Sequence, residues 1–365
     1  MQSSPKPDVA LGGSASSLSG GPSVGGIARD LWRLSRPQGA FWLSWVLLIG
    51  YGFALWDWGM APRGGAGLVV ILLSWWCLNA GSLWLNALLD RDQGAVLFQA
   101  TPVSVPPGAK VAAYTALGLS VLIAAASVPL AALCAGGAAL LAVLYSHPRT
   151  CWKGHAVGGP VVNWVGYGLL TPIAGYVQTG LPVTWRSAGT LVLLSAWILG
   201  AYFAAQAFQE QEDAARGYRT LVVTHGATRV IQVSRGLMAI AMLGVVAGMA
   251  LGYYPRLLLL GAPMLWLTDR YIARWKQAAA ALERGELAGA RPGQLRAVPR
   301  EQDAPEFSLS RGAAMGLHRR MMWCGAVLFW LAYCDYRADF DAGRAAAGWA
   351  TMRGKPPAPQ RFVQP

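Results

Sequence analysis

The chain has 365 residues, of which 55% are apolar and only 13% charged, with a net charge of +13. Soluble domains average about 45–50% apolar and about 25% charged, so an ordinary soluble fold is excluded and an integral membrane protein is predicted. In so apolar a chain the excess of lysine and arginine reads as positive-inside loops and contact with anionic lipid, and no nucleic-acid partner is expected.

Residues 1–26 (MQSSPKPDVALGGSASSLSGGPSVGG) are rich in Gly and Ser and lack an apolar h-region. They read as a disordered tail rather than a signal peptide. Crossing a bilayer takes about 20 apolar residues, and nine stretches approach that length. They are Phe41–Met60, Gly67–Leu89, Val111–Ala126, Leu130–Tyr145, Val157–Val177, Gly189–Gln206, Gly236–Leu251, Arg256–Leu267 and Met321–Tyr333. The last two are short. No stretch shows the sustained alternation of a strand. The predicted fold is therefore an all-α bundle of about nine transmembrane helices. One domain covers 27–335, with a basic insertion at 269–320, and 336–365 form a flexible tail. Within the insertion, RYIARWKQAAAALERG fits either an amphipathic surface helix or a solvated linker.

Glycines and alanines within the stretches suit close helix packing in lipid, and 17 tryptophans suit interfacial belts. Threading nine spans puts most lysines and arginines on the N-terminal side, which predicts a cytoplasmic N-terminus and cytoplasmic even-numbered loops. The five cysteines have no metal-ligand spacing and read as small buried apolar residues. His147, His155 and His225 likewise lack ligand spacing. His318-Arg319-Arg320 reads as an interfacial anchor, and Asp57 is expected to reach the headgroups.

Acids are scarce, 17 in all, yet two groups lie where apolar stretches should meet water. Asn86-Ala-Leu-Leu-Asp90-Arg91-Asp92 closes the second stretch, and Glu210, Glu212 and Asp213 follow the sixth. Ionisable groups at a membrane boundary are costly and point to function. On a helix Asn86 and Asp90 share a face, as do Gln209, Asp213 and Gly217. Facing carboxylates at a bundle mouth suit Mg²⁺, which often binds through substrate phosphates. Arg91, Arg149, Lys153, Arg216 and Arg219 lie alongside, a set that suits a diphosphate with an apolar tail.

These segments resemble the UbiA superfamily of intramembrane prenyltransferases. Asn86–Asp92 is similar to its first aspartate-rich motif, NDxxDxxxD. QEQEDAARGYRTLVVTHG is similar to its second, DxxxDxxxGxxT, matching at Asp213, Gly217, Thr220 and Gly226. Arg36-Pro37 resembles the start of its first span, and Tyr145, Ser146, Lys153 and Gly154 its segment after span four. The resemblance covers roughly Leu31–Tyr333. Ala87, Gly94 and Gln209 stand where the family has aspartates, which leaves Asp90 and Asp213 in register.

The resemblance implies Mg²⁺-dependent transfer of a prenyl group from an isoprenoid diphosphate to a lipophilic or aromatic acceptor within the membrane. A terpene cyclase of the same superfamily and a degenerate lipid-binding homologue are the alternatives. Asp90 and Asp213 are the expected catalytic residues, with Asp92, Gln209 and Glu210 beside them as metal ligands. Asn86, Arg91, Lys153, Arg219 and Tyr145 are the expected diphosphate contacts. The expected location is a bacterial inner membrane, with membrane lipids around the bundle and the site facing the cytoplasm.

Overall fold

The computed structural model describes residues 23–58, 65–90, 103–284 and 311–352. Among them the backbone is helical, with a single isolated β-bridge between His155 and Arg219. The chain is an all-α, multi-pass integral membrane protein.

Helix α1 (Val24–Leu34) starts at Ser23, whose hydroxyl accepts the Gly26 N–H at 3.2 Å. Such a cap satisfies one of the helix's orphan donors. Helices α2 (Pro37–Asp57), α3 (Ala66–Asp90), α4 (Ala109–Ala125) and α5 (Pro129–Ser146) follow. They are apolar on every face, as helices immersed in lipid are. The fifth apolar stretch is broken into α6 (Gly158–Asn163), a π-helical segment (Trp164–Leu170) and α7 (Thr171–Val177). Pro172 explains the break, since it has no N–H to give the preceding turn. Gly166 O accepts both the Thr171 N–H and, at 3.0 Å, the Thr171 hydroxyl.

The second half comprises α8 (Trp185–Gln206), the short α9 (Glu210–Ala215) and α10 (Leu221–His225), and α11 (Ala227–Ala250). A 3₁₀ turn (Arg256–Gly261) leads into α12 (Ala262–Glu283), and α13 runs from Arg311 to Met352. Among the described residues α2, α3, α5, α8 and α11 are long and apolar enough to cross a membrane, and α4 is a shorter apolar helix. The eighth stretch is a 3₁₀ turn followed by the start of α12, rather than one helix. Residues 270–283 of RYIARWKQAAAALERG continue α12, and Ile272, Trp275 and Ala279 are buried. That spacing of three and four packs one face into the protein, so these residues form an amphipathic helix and not a linker. Helix α13 carries on past residue 335, the expected end of the domain.

Two apolar cores hold the bundle. The first joins α2, α3, α4, α5 and α7 around Leu47, Ile71, Trp75 and Leu117. The second joins α8, α10, α11, α12 and α13 around Ile231, Met238, Ile272 and Leu317. In the first core α2 and α7 touch backbone to backbone. A Cβ on Gly50 would lie 1.9 Å from Pro172 O, and one on Gly175 2.0 Å from Leu47 O. Asp57, expected at the headgroups, is hydrogen-bonded within the protein. Its Oδ2 accepts from Ser187 Oγ at 2.5 Å and from the Thr184 hydroxyl, tying the end of α2 to the start of α8. Leu122, Leu133 and Leu243 face outward, each about two-thirds exposed, where lipid tails would cover them.

Candidate active site

Between the two cores lies one cavity of about 880 Å³. Its walls come from α2, α3, α5, the π-helical segment, α8, α11 and α13. Its mouth is polar and the rest is mostly apolar and aromatic. The mouth collects Asn86, Tyr145, Ser146, Lys153, Gln209, Glu212, Asp213, Arg216 and Tyr218.

Helix α9 explains the acidic side. It begins after Gln209, and positions three, four and seven residues on from Gln209 share one helix face. Those are Glu212, Asp213 and Arg216, and all three line the cavity. The helix stops at Gly217, whose φ of +72° is left-handed. Tyr218 N–H donates to Asp213 O at 2.9 Å, and Gly217 N–H donates to Ala214 O at 3.0 Å. This pair of bonds is the Schellman ending. It turns the chain back so that the Thr220 hydroxyl donates to Asp213 Oδ2 at 2.9 Å.

The basic side comes from the turn after α5. Lys153 sits in a 3₁₀ turn, Trp152–Gly154, and is buried. Its Nζ donates to Asn86 Oδ1 at 3.3 Å, and Ser146 Oγ donates to the same oxygen at 3.3 Å. The Lys153 ammonium lies 6.0 Å from the centre of the Tyr218 ring. One backbone bond holds the two sides together: Arg219 N–H donates to Gly154 O at 2.8 Å. The cation-bearing turn and the acid-bearing turn are thereby fixed against each other.

Burial sets the charge states. It pushes the Lys153 ammonium down to about 7; nearby Arg216 adds to this, and Asp213 opposes it. Burial also raises the Asp213 carboxyl, held back by the Thr220 hydrogen bond and by Arg216. Glu212 and Arg216 form an ion pair at 2.7 Å. The mouth thus offers hard oxygen donors beside cations whose charge a bound anion would reinforce.

The sequence-predicted residues separate clearly. Asn86, Tyr145, Lys153, Gln209 and Asp213 come together around the mouth. Glu210 is half-buried on another face of α9 and is not among the cavity-lining residues. The Arg219 side chain is exposed and away from the cavity; its contribution is the backbone bond to Gly154. Gly217 is a helix stop, not a member of the α9 face. Asp90 ends α3 one turn after Asn86, but its side chain, and all of Arg91 and Asp92, lie outside the described residues. Among the described residues no group of three acidic, His or Cys side chains could by itself hold a metal ion.

Sequence reasoning missed a second row of polar groups just inside the mouth. Gln206 Nε2 donates to the Tyr202 hydroxyl at 2.6 Å, and Tyr145 and Asn163 are the other members of this row. All four line the cavity. Gln206 and Asn163 carry a signal the sequence offered, since an amide inside an apolar stretch is costly and defaults to function.

Comparison with known proteins identifies relatives of this chain. The model of the UbiA prenyltransferase family matches residues 43–284. Protoheme IX farnesyltransferase from Anaeromyxobacter dehalogenans (strain 2CP-C) is 28% identical over 211 residues, 55% of this chain and 68% of that protein. A UbiA homolog from Archaeoglobus fulgidus, solved bound to DMAPP and Mg²⁺, has a TM-score of 0.54 at 20% identity. That match covers 84% of this chain and 99% of the homolog. A digeranylgeranylglyceryl phosphate synthase gives 0.53 at 14% identity, over 85% of this chain and 97% of the synthase. The structures share the fold, and the matched segment takes in both sides of the cavity mouth. The chain belongs to the UbiA prenyltransferase family.

Proposed function

We propose that this protein transfers a prenyl group from an isoprenoid diphosphate to a lipophilic acceptor inside the membrane, with Mg²⁺ and with its polar mouth facing the cytoplasm. The observation that carries the reading is the continuity of one cavity, polar at Asp213, Asn86 and Lys153 and apolar beyond. A diphosphate with a hydrocarbon tail is polar and apolar at the same two ends.

The donors at the mouth fit Mg²⁺. All are oxygens, from Asp213, Glu212, Gln209 and Asn86, and Mg²⁺ is satisfied by one or two carboxylates when phosphates and water complete it. Asp90, one turn beyond Asn86, is the further carboxylate expected from the family motif. Bound Mg²⁺ would supply positive charge against the diphosphate. Lys153 and Arg216 hold the same anion from the protein side. Thr220 orients Asp213 and favours its ionised form.

In the reaction the bond between the first prenyl carbon and the diphosphate oxygen breaks, and its electron pair leaves with the diphosphate. The acceptor's electron pair then forms the new bond, and the acceptor loses a proton. The apolar cavity keeps water from the allylic cation. Tyr145 and Tyr202 line the cavity just inside the mouth, where cation–π attraction to an aromatic ring stabilises positive charge.

The test uses membranes containing the protein, labelled isoprenoid diphosphates, Mg²⁺, and a lipid extract as the acceptor source. Label in a new lipid that forms only with the extract supports transfer. A hydrocarbon or terpene alcohol formed without it would replace transfer by cyclisation. No release of diphosphate under any condition would overturn the proposal.

A further inference from the structure

The cavity continues far below the mouth. Its α2 wall runs from Arg36 to Trp56, and its α8 wall reaches down to Thr190. At about 1.5 Å per residue, the apolar α2 wall from Trp42 to Trp56 is roughly 21 Å long. The α8 wall from Ala201 to Thr190 is roughly 17 Å by the same rise.

The far end is a constructed floor. Helix α11 ends in a turn at Gly252, where Tyr253 N–H donates back to Gly248 O at 2.8 Å. This turn folds Tyr254 back beneath α11. Its ring lies so close to Gly248 that a Cβ there would meet Cε2 at 2.2 Å. Its hydroxyl is hydrogen-bonded to Thr190 Oγ1 at 2.8 Å, and its ring meets Phe53 edge-on with centroids 5.6 Å apart. Trp56 Nε1 donates to Tyr253 O at 3.1 Å, which ties α2 to the same turn. Contacts from α2, α8 and α11 therefore lock Tyr254 in place.

We propose that this floor selects the donor's length, and that the donor is an isoprenoid diphosphate of three to four prenyl units with Tyr254 as the stop. The inference rests on reading the mouth as a diphosphate site. An extended chain advances about 1.2 Å per bond, since a peptide covers about 3.3–3.6 Å in three bonds. A prenyl unit adds four bonds along the chain, or about 5 Å on that scale. Walls of 17–21 Å take three to four such units, about fifteen to twenty carbons. A ten-carbon chain leaves the lower half unfilled, and a thirty-carbon chain overruns Tyr254. Each further unit buried removes enough apolar surface from water to tighten binding by at least about tenfold.

Equilibrium binding to the detergent-solubilised full chain with Mg²⁺ tests this. The probes are unreactive diphosphate analogues with ten-, fifteen-, twenty- and thirty-carbon chains, each compared with its prenyl alcohol. Affinity should rise at least tenfold from ten to fifteen carbons and fall from twenty to thirty. Tyr254→Ala should bring the thirty-carbon analogue up to the twenty-carbon affinity. Val245→Phe, which fills the cavity from α11, should lower twenty-carbon affinity about tenfold relative to ten. A flat profile from ten to twenty carbons, or equal binding of thirty and twenty by the wild type, overturns the length inference alone. If no diphosphate binds better than its alcohol, the reading of the mouth falls and the length inference falls with it.

Discussion

Replacing Lys153 with arginine should remove the pH sensitivity of diphosphate binding above neutrality. Burial holds the Lys153 ammonium down to about 7. At pH 8 about nine in ten molecules would then carry a neutral lysine. A bound diphosphate favours the charged form and raises the bound-state value, so binding takes up a proton. The sign follows directly: affinity is full below about pH 7 and falls as pH rises. The loss is up to tenfold per pH unit, about 1.4 kcal/mol. Arginine stays charged throughout this range, so Lys153→Arg should show only the small slope due to the ligand itself. Calorimetry with an unreactive diphosphate analogue at pH 6.5, 7.5 and 8.5 measures the slope. Repeating it in buffers of different ionisation enthalpy measures the proton. Equal slopes in wild type and Lys153→Arg, or no proton uptake by the wild type, would refute the reasoning.

Other positions give separate tests. Thr220→Val removes the hydroxyl that holds the Asp213 carboxyl down, a bond to a charged group worth about 1.5–3 kcal/mol. The acid limb of the pH–activity profile should move to higher pH, and Thr220→Ser should restore it. Gly50→Ala forces a Cβ into a backbone oxygen that cannot yield, so its melting temperature in detergent should drop by more than the usual about 1–3 kcal/mol of overpacking implies. Gly118→Ala, where a Cβ meets nothing within 4 Å, should cause no such drop. Gly217→Val should cost about 1–2 kcal/mol for the left-handed backbone and lower activity by loosening Thr220. Gly217→Asn should cost less in both measurements.

The helical membrane bundle was legible because long apolar stretches in a chain this poor in charge admit few other folds. The break at Pro172 was not, because the π-helical repair depends on Thr171 finding the Gly166 carbonyl. Asp213 and Lys153 were legible as scarce charged groups beside apolar stretches. Their juxtaposition was not, since it depends on the backbone pairing of Arg219 with the turn at Gly154 and His155. Glu210 was expected as a metal ligand beside Gln209, where the family has an aspartate. The face of α9 is set by where the helix begins, and the residues three and four on from Gln209, Glu212 and Asp213, are the ones that line the cavity. Room for an apolar tail was legible, but the floor at Tyr254 was not, because the turn at Gly252 determines where that ring goes.

Mg²⁺-dependent release of diphosphate from a labelled isoprenoid diphosphate, compared among wild type, Asp213→Asn and Asp90→Asn at equal amounts of folded protein, tests the central claim most directly. The account predicts release by the wild type that stops when Mg²⁺ is chelated, and at least a hundredfold loss in each variant, about 2.7 kcal/mol of transition-state stabilisation. Release by both variants at the wild-type rate would contradict it.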